Sequence, residues 1–168
     1  MIERLETKAA IGLDDAGTIT GLAWPFGSPD RAGDIITKGA FVGIPARLPM
    51  LWQHDPAQVV GVWENGQETD AGLEVKGRLL LGQVARADEV RALVQSGAVG
   101  GLSIGFSTKA ATLRPGGRGR LIKKLELVEI SLVSVPSHPG ARVRTAKSGL
   151  VAIQIAEAIN RATLALRH

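Results

Sequence analysis

The sharpest alternation of apolar and polar positions runs through residues 100–107. Leu102, Ile104 and Phe106 alternate with Ser103, Gly105 and Ser107, the period of a strand with one apolar face. Ser103 therefore points away from that face, with glycine two residues before it and two after it. Shorter runs of the same kind predict strands over 4–11, 18–24, 35–37, 49–54, 59–64, 72–81 and 121–135. The helical period is clearest over 83–95, where Val84, Ala87, Val90, Leu93 and Val94 form a broad stripe closed by Ser96-Gly97. It returns over 150–166 with Val151, Ile155, Ala158, Ile159 and Ala162, and a short helix fits within 39–47. Clusters of breakers predict loops over 25–34, 108–120 and 136–140. Many strands with few helices predict a mainly β chain with helices (α+β), built as a barrel or sandwich. Residues 1–145 are read as one domain, and 146–168 as a linker and an amphipathic C-terminal helix.

At 168 residues the chain suffices for one domain with a proper core. With 45% hydrophobic and 21% charged residues it reads as a soluble globular protein. It has no cysteine, which removes disulfides, thiolate nucleophiles and thiolate metal sites and suits a reducing compartment. The charged start, Met1-Ile2-Glu3-Arg4-Leu5-Glu6, shows no secretory signal, and no apolar run is of membrane-spanning length. A net charge of +4 favours acidic partners. Aromatics at 4% and no stacking motif give no basis for specific nucleic-acid binding.

An uncrowded serine on the polar face of a strand suits attack on a carbonyl carbon. Residues 101–105 also match G-x-S-x-G, the nucleophile elbow of α/β-hydrolases. That assignment fails, because the elbow leads from a strand into a helix and residues 108–120 read as loop around Pro115-Gly116-Gly117. A serine nucleophile needs a base, and histidine suits it. Of three histidines, His168 ends the chain, His138 lies between two prolines, and His54 ends a strand on one face with Met50 and Trp52. His54 is placed ahead of His138. Glu129 is the candidate orienter of the base. It is read on one face with Leu125, Leu127, Val133 and Val135, where a carboxylate needs a partner. Glu126, Asp34 and Asp55 are weaker alternatives in exposed or turn-like contexts. The histidines are not at metal-ligand spacing, and the glycines of 114–120 lack a Walker pattern, so no metal or cofactor is expected.

Together, Pro49-Met50-Leu51-Trp52-Gln53-His54-Asp55, then Gly101-Leu102-Ser103-Ile104-Gly105-Phe106, then residues 127–136 from Leu127 to Pro136 resemble the prohead (procapsid maturation) serine proteases of tailed phages. These are relatives of the herpesvirus assemblin proteases. The resemblance also takes in residues 21–26, Asp34 and Lys38-Gly39-Ala40-Phe41. It implies a closed, mostly antiparallel β-barrel of the herpesvirus-protease type surrounded by helices. It implies a serine endopeptidase with Ser103 as nucleophile, His54 as general base and Glu129 as third member. The substrates would be the scaffolding segment of the major capsid protein and the protease itself, a homodimer by analogy with the assemblins. The place would be the assembling procapsid in the cytoplasm of a bacterial host. Many relatives have asparagine at the position of His138, which keeps His138 open as a third member. Oxyanion or substrate contacts fall to Ser137, His138, Gly140 and Arg142, with Arg144 a further option and the backbone amides of that loop as plausible as the arginines. The alternative is a catalytically silent assembly protein of the same fold that binds scaffold, with the basic loop 114–120 and the terminal helix as its contact surfaces.

Overall fold

The structure is a computed structural model and describes residues 13–144. The strand expected over 4–11, the linker and helix expected over 146–168, and His168 lie outside the described residues. Among the described residues the elements are β1 (Thr18–Pro25), β2 (Ile35–Ile36), β3 (Leu48–Trp52), β4 (Asp55–Glu68), β5 (Gly72–Leu79), α1 (Ala85–Ser96), β6 (Gly101–Leu113), β7 (Arg120–Val133) and β8 (Arg142–Val143).

Neighbouring strands run β7-β3-β4-β5-β1-β8-β6, and β6 pairs back onto β7, which closes a barrel of the expected type. The two-residue β2 lies outside that ring, parallel to β7. Within the ring β3 and β7 are parallel, and the other pairs are antiparallel. The inward positions follow the alternation of the sequence. Ile19, Met50, Val60, Trp63, Leu73, Leu102, Ile122, Ile130 and Leu132 are fully buried in one core. Burial of each large apolar side chain contributes about 1.5–3 kcal/mol. Inside the barrel the Trp63 indole N–H donates to the Ile130 carbonyl at 2.9 Å, so its polar atom is satisfied without leaving the core. Helix α1 buries Ala87, Val90 and Val94 and stops at Gly97, whose left-handed backbone (φ 80°) lets its N–H reach the Val94 carbonyl.

Three expectations give way. Residues 39–47 form turns instead of a helix. Ala40 and Phe41 pack into the barrel core, Phe41 bridges to Leu125, and Gly39 and Gly43 take positive φ. Strand β4 runs straight through Asn65-Gly66, read as a turn, because those residues pair with Lys76 and Val75 of β5. Strand β6 continues to Leu113, and only 114–119 remain as a loop.

That basic loop is pinned. The guanidiniums of Arg114 and Arg118 donate to the carbonyls of Gly33 (3.2 Å) and Arg31 (2.9 Å). The approach is close enough that a Cβ on Gly33, whose φ is +95°, would lie 2.2 Å from the Arg118 carbonyl oxygen. Asp34 completes the clasp. Its carboxylate accepts the Arg120 backbone N–H at 2.7 Å and the Arg120 guanidinium at 2.6 Å. The hydrogen bond from the Arg120 side chain holds the Asp34 carboxyl below its ordinary pKa, against the opposing effect of burial. A lowered carboxyl pKa stabilises the fold above the unfolded value of about 4, and that contribution disappears as pH falls through the lower folded value. Asp34→Asn is expected to cost about 1–3 kcal/mol at pH 7, discounted because the guanidinium is half-exposed. Urea denaturation at pH 7 and pH 3 checks this, and the gap between wild type and variant should narrow at the lower pH.

Candidate active site

The β3–β4 hairpin turns at Gln53-His54. Trp52 pairs with Asp55, so only these two residues make the connection. Their φ values are 55° and 63°, the backbone of a tight two-residue hairpin that favours Asn-Gly. The strand expected over 49–54 thus ends at Trp52, and His54 leaves the face of Met50 and Trp52. The chain reverses earlier than the sequence implies because Asp55-Pro56, read as a strand end, opens β4. The turn leaves the His54 side chain 44% exposed at the end of the barrel wall.

His54 meets Glu129 there, with Nδ1 2.6 Å from Oε1. A bulge in β7 makes this possible. Phe106 pairs with Leu127 and Gly105 with Glu129, which leaves Val128 as an extra residue, 54% exposed. Leu125 and Leu127 face the core before the bulge, and Ile130 and Leu132 after it. Without the extra residue Glu129 would continue the inward face of Leu125 and Leu127, as the sequence reading had it. The bulge turns it outward instead, onto one face with Ser131 and Val133.

Ser103 lies on that same outer face, directly opposite Ser131, as Gly105 lies opposite Glu129. Directly opposed residues hold their Cβ atoms about 4.5–5.5 Å apart. The flanking glycines do not uncover the serine, which is only 2% exposed. They make room for neighbours. A Cβ on Gly105 would lie 2.5 Å from Glu129 Oε1, and one on Gly101 would lie 2.7 Å from the Val133 carbonyl oxygen and 2.8 Å from Pro136 Cδ.

The Ser103 hydroxyl is hydrogen-bonded to the Ser137 hydroxyl at 3.0 Å. Among the described residues no hydrogen bond joins it to His54. Ser137 belongs to the loop after β7, which two contacts secure. The Ser137 carbonyl accepts the Arg31 N–H at 3.1 Å. His138 is buried edge-on against Trp24, accepts the Gly140 N–H at Nδ1 (3.1 Å) and donates from Nε2 to the Ser28 carbonyl (3.1 Å). Both ring nitrogens of His138 are thereby engaged within its own loops, and the Gly140 amide is engaged with them. The amides of Ser137 and His138 make no hydrogen bond among the described residues. Arg142 stands on β8 opposite Gly101 with an exposed side chain, while Arg144 is paired with Glu74 at 2.5 Å.

The remaining acids are engaged elsewhere. Asp34 binds Arg120, Asp55 accepts the Ala57 N–H at 2.9 Å, and Glu126 pairs with Lys109 at 2.7 Å. The structure therefore gathers His54, Glu129 and Ser103 around one residue the sequence reading passed over, Ser131. Its hydroxyl donates to Glu129 Oε2 at 2.6 Å and accepts the His54 backbone N–H at 3.1 Å. Its position two residues after Glu129, on the same face of a strand, was the available signal. Among the described residues no group of three or more histidine, aspartate and glutamate side chains is arranged to hold a metal ion.

Barrel topology brings a serine, a histidine and a glutamate together at one end of the barrel, the residue types that a serine peptidase uses. The chain belongs to the caudovirus prohead serine protease family, whose family model matches residues 3–154. It is 37% identical over 150 residues to a capsid polyprotein of Pseudomonas phage PAJU2, covering 86% of this chain and 22% of that protein. It is 34% identical over 138 residues to the prohead protease of Enterobacteria phage HK97, covering 79% of this chain and 61% of that one. The chain thus spans less than two thirds of the length of these curated relatives. Among solved structures, the KSHV protease in complex with a hexapeptide phosphonate inhibitor has a similar fold. The TM-score is 0.52 at 16% identity, over 75% of this chain and 63% of that one.

The glycine geometry makes a paired prediction. Gly105→Ala drives a methyl group into the Glu129 carboxylate and should cost about 1–3 kcal/mol. Gly100→Ala meets nothing within 4 Å and should change stability by less than about 0.5 kcal/mol. Calorimetric unfolding of both variants checks the contrast.

Proposed function

We propose that the chain is a serine endopeptidase of capsid maturation that cleaves the scaffolding segment of the major capsid protein and itself through an acyl-enzyme. The observation that carries this reading is the 2.6 Å contact between the half-exposed His54, through Nδ1, and a buried Glu129, one diagonal step on the sheet from Ser103. A carboxylate on Nδ1 fixes the ring and its tautomer and leaves Nε2 to handle the proton of the serine.

In the reaction the Ser103 hydroxyl turns from Ser137 toward His54. Its proton passes to Nε2 as the Oγ–carbon bond forms at the scissile carbonyl. Catalytic hydrogen bonds often close only in the substrate complex. The imidazolium, held by Glu129, then gives the proton to the departing amine, and water repeats the sequence to release the acyl group. The amides of Ser137 and His138 are the donors proposed for the oxyanion, since both are uncommitted and their loop touches the nucleophile. Glu129 is preferred to His138 as third member because both His138 nitrogens are occupied. The name prohead protease, carried by the HK97 relative, supports the assembling procapsid as the place of action; a self-cleaving homodimer in a bacterial host is the working form proposed with it.

Co-expression with the capsid protein from the same source tests the proposal. Wild type is expected to shorten the capsid protein and itself, while Ser103→Ala and His54→Ala leave both at full length in assembled particles. Unshortened components in particles assembled with wild type would favour the catalytically silent, scaffold-binding alternative.

A further inference from the structure

We infer that Ser131 is a positioning residue for this reaction: its buried hydroxyl closes a ring of hydrogen bonds that locks the His54 turn and the Glu129 carboxylate together. The inference rests on the protease reading of the same site.

The donor directions in the ring are fixed by chemistry. An amide N–H only donates and a carboxylate only accepts. The Ser131 oxygen therefore accepts from the His54 backbone and sends its single proton to Glu129 Oε2. The other carboxylate oxygen, Oε1, receives His54 Nδ1–H. The ring thus leaves His54 N–H, passes through the Ser131 hydroxyl and the carboxylate, and returns to the imidazole of the same residue. It ties the main chain and the side chain of His54 to one rigid group. Glu129 alone would hold the imidazole but not the backbone that carries it.

The backbone needs such a tie. Gln53 and His54 both sit in the left-handed region, which is unfavourable for a residue that carries a side chain. Consecutive residues of β7 hold the turn there. The Gln53 N–H donates to the Leu132 carbonyl at 3.0 Å, and the His54 N–H to the Ser131 hydroxyl. Ser131 is wholly buried (0% exposed), and without its hydroxyl both the His54 amide and Glu129 Oε2 lose a partner in a place poor in water. Its Cα partner across the ladder is Ser103. One register therefore places the nucleophile and the clamp of its base together, and a slip of one residue would put them on opposite faces of the sheet.

The test uses Ser131→Ala and Ser131→Thr in the full chain. Ser103 labelling by a peptidyl fluorophosphonate is followed by intact mass, and exchange of the His54 amide by mass spectrometry or NMR. Ser131→Ala should slow the inactivation step about 10–100-fold, as expected of a base displaced by about an ångström. Affinity for the probe should stay unchanged, and the His54 amide should exchange faster. Ser131→Thr, which keeps the hydroxyl, should recover most of the rate. In a Glu129→Ala background, adding Ser131→Ala should bring a smaller loss than it does in wild type, since the two share one ring and only the His54 backbone tie is left to remove. A folded Ser131→Ala labelled at the wild-type rate, or a loss fully additive with Glu129→Ala, would overturn the clamp. Should Ser131→Ala not fold, Ser131→Cys retains the volume with a weaker donor and must still label slowly; a wild-type rate there is equally fatal. An unlabelled wild type would instead overturn the protease reading itself, whereas a labelled wild type with an indifferent Ser131→Ala overturns only the clamp.

Discussion

One extra residue in a strand governs this site. Val128 shifts the register of β7 against β6 by one position, so the strand buries Leu125 and Leu127 before it and Ile130 and Leu132 after it. Glu129, the second of the two residues between those runs, thereby faces outward instead of into the core, and its carboxylate reaches His54. A strand without the bulge would have to bury that carboxylate in the barrel or give up one apolar pair. The bulge reconciles a continuous apolar core with a charged group on the adjoining wall.

Two further features are consequences of placing chemistry on a closed sheet. Side chains on the outer face of β6 and β7 crowd one another, and glycine relieves that crowding at 101 and 105. Ser103 is thus shielded by packing around it, and its loop partner Ser137 occupies its hydroxyl. His54 is carried on a strained turn outside the sheet, which β7 holds in place with two consecutive hydrogen bonds. The third loop, 136–140, is braced from the other side. Arg31 binds the Ser137 carbonyl and Ser28 the His138 ring, while Asp34 of the same loop is clasped to β7 by Arg120. Every moving part of the site is thereby referred back to β7.

The sequence made much of the fold legible, because the apolar alternation of Leu102, Ile104 and Phe106 and the stripe of Val90 and Val94 survive unchanged in β6 and α1. The three motifs also singled out His54, Ser103 and Glu129, which the fold brings to one end of two neighbouring strands. Their orientations were less legible. Nothing in Leu127-Val128-Glu129 announces a bulge, since register depends on the partner strand rather than on local composition. Gln53-His54 lacks the Asn-Gly signature of a two-residue turn, so His54 read as a strand residue. The glycines around Ser103 looked like exposure because a single chain does not display what packs against it. Residues 108–113 read as loop because Pro115-Gly116-Gly117 outweighed the modest alternation of Thr108, Ala110 and Thr112, which only pairing with β7 makes a strand.

The central claim is that Ser103 is activated by a His54 that Glu129 holds in place. Its most direct test is a crystal structure of the protein after reaction with a peptidyl phosphonate ester. The account predicts phosphorus bonded to Ser103 Oγ and a phosphoryl oxygen within hydrogen-bond distance of the Ser137 or His138 amide. His54 Nδ1 should still lie on Glu129, with Nε2 facing the adduct. Phosphorus on another residue, or an adduct at Ser103 with His54 turned away from both Glu129 and the serine, would contradict it.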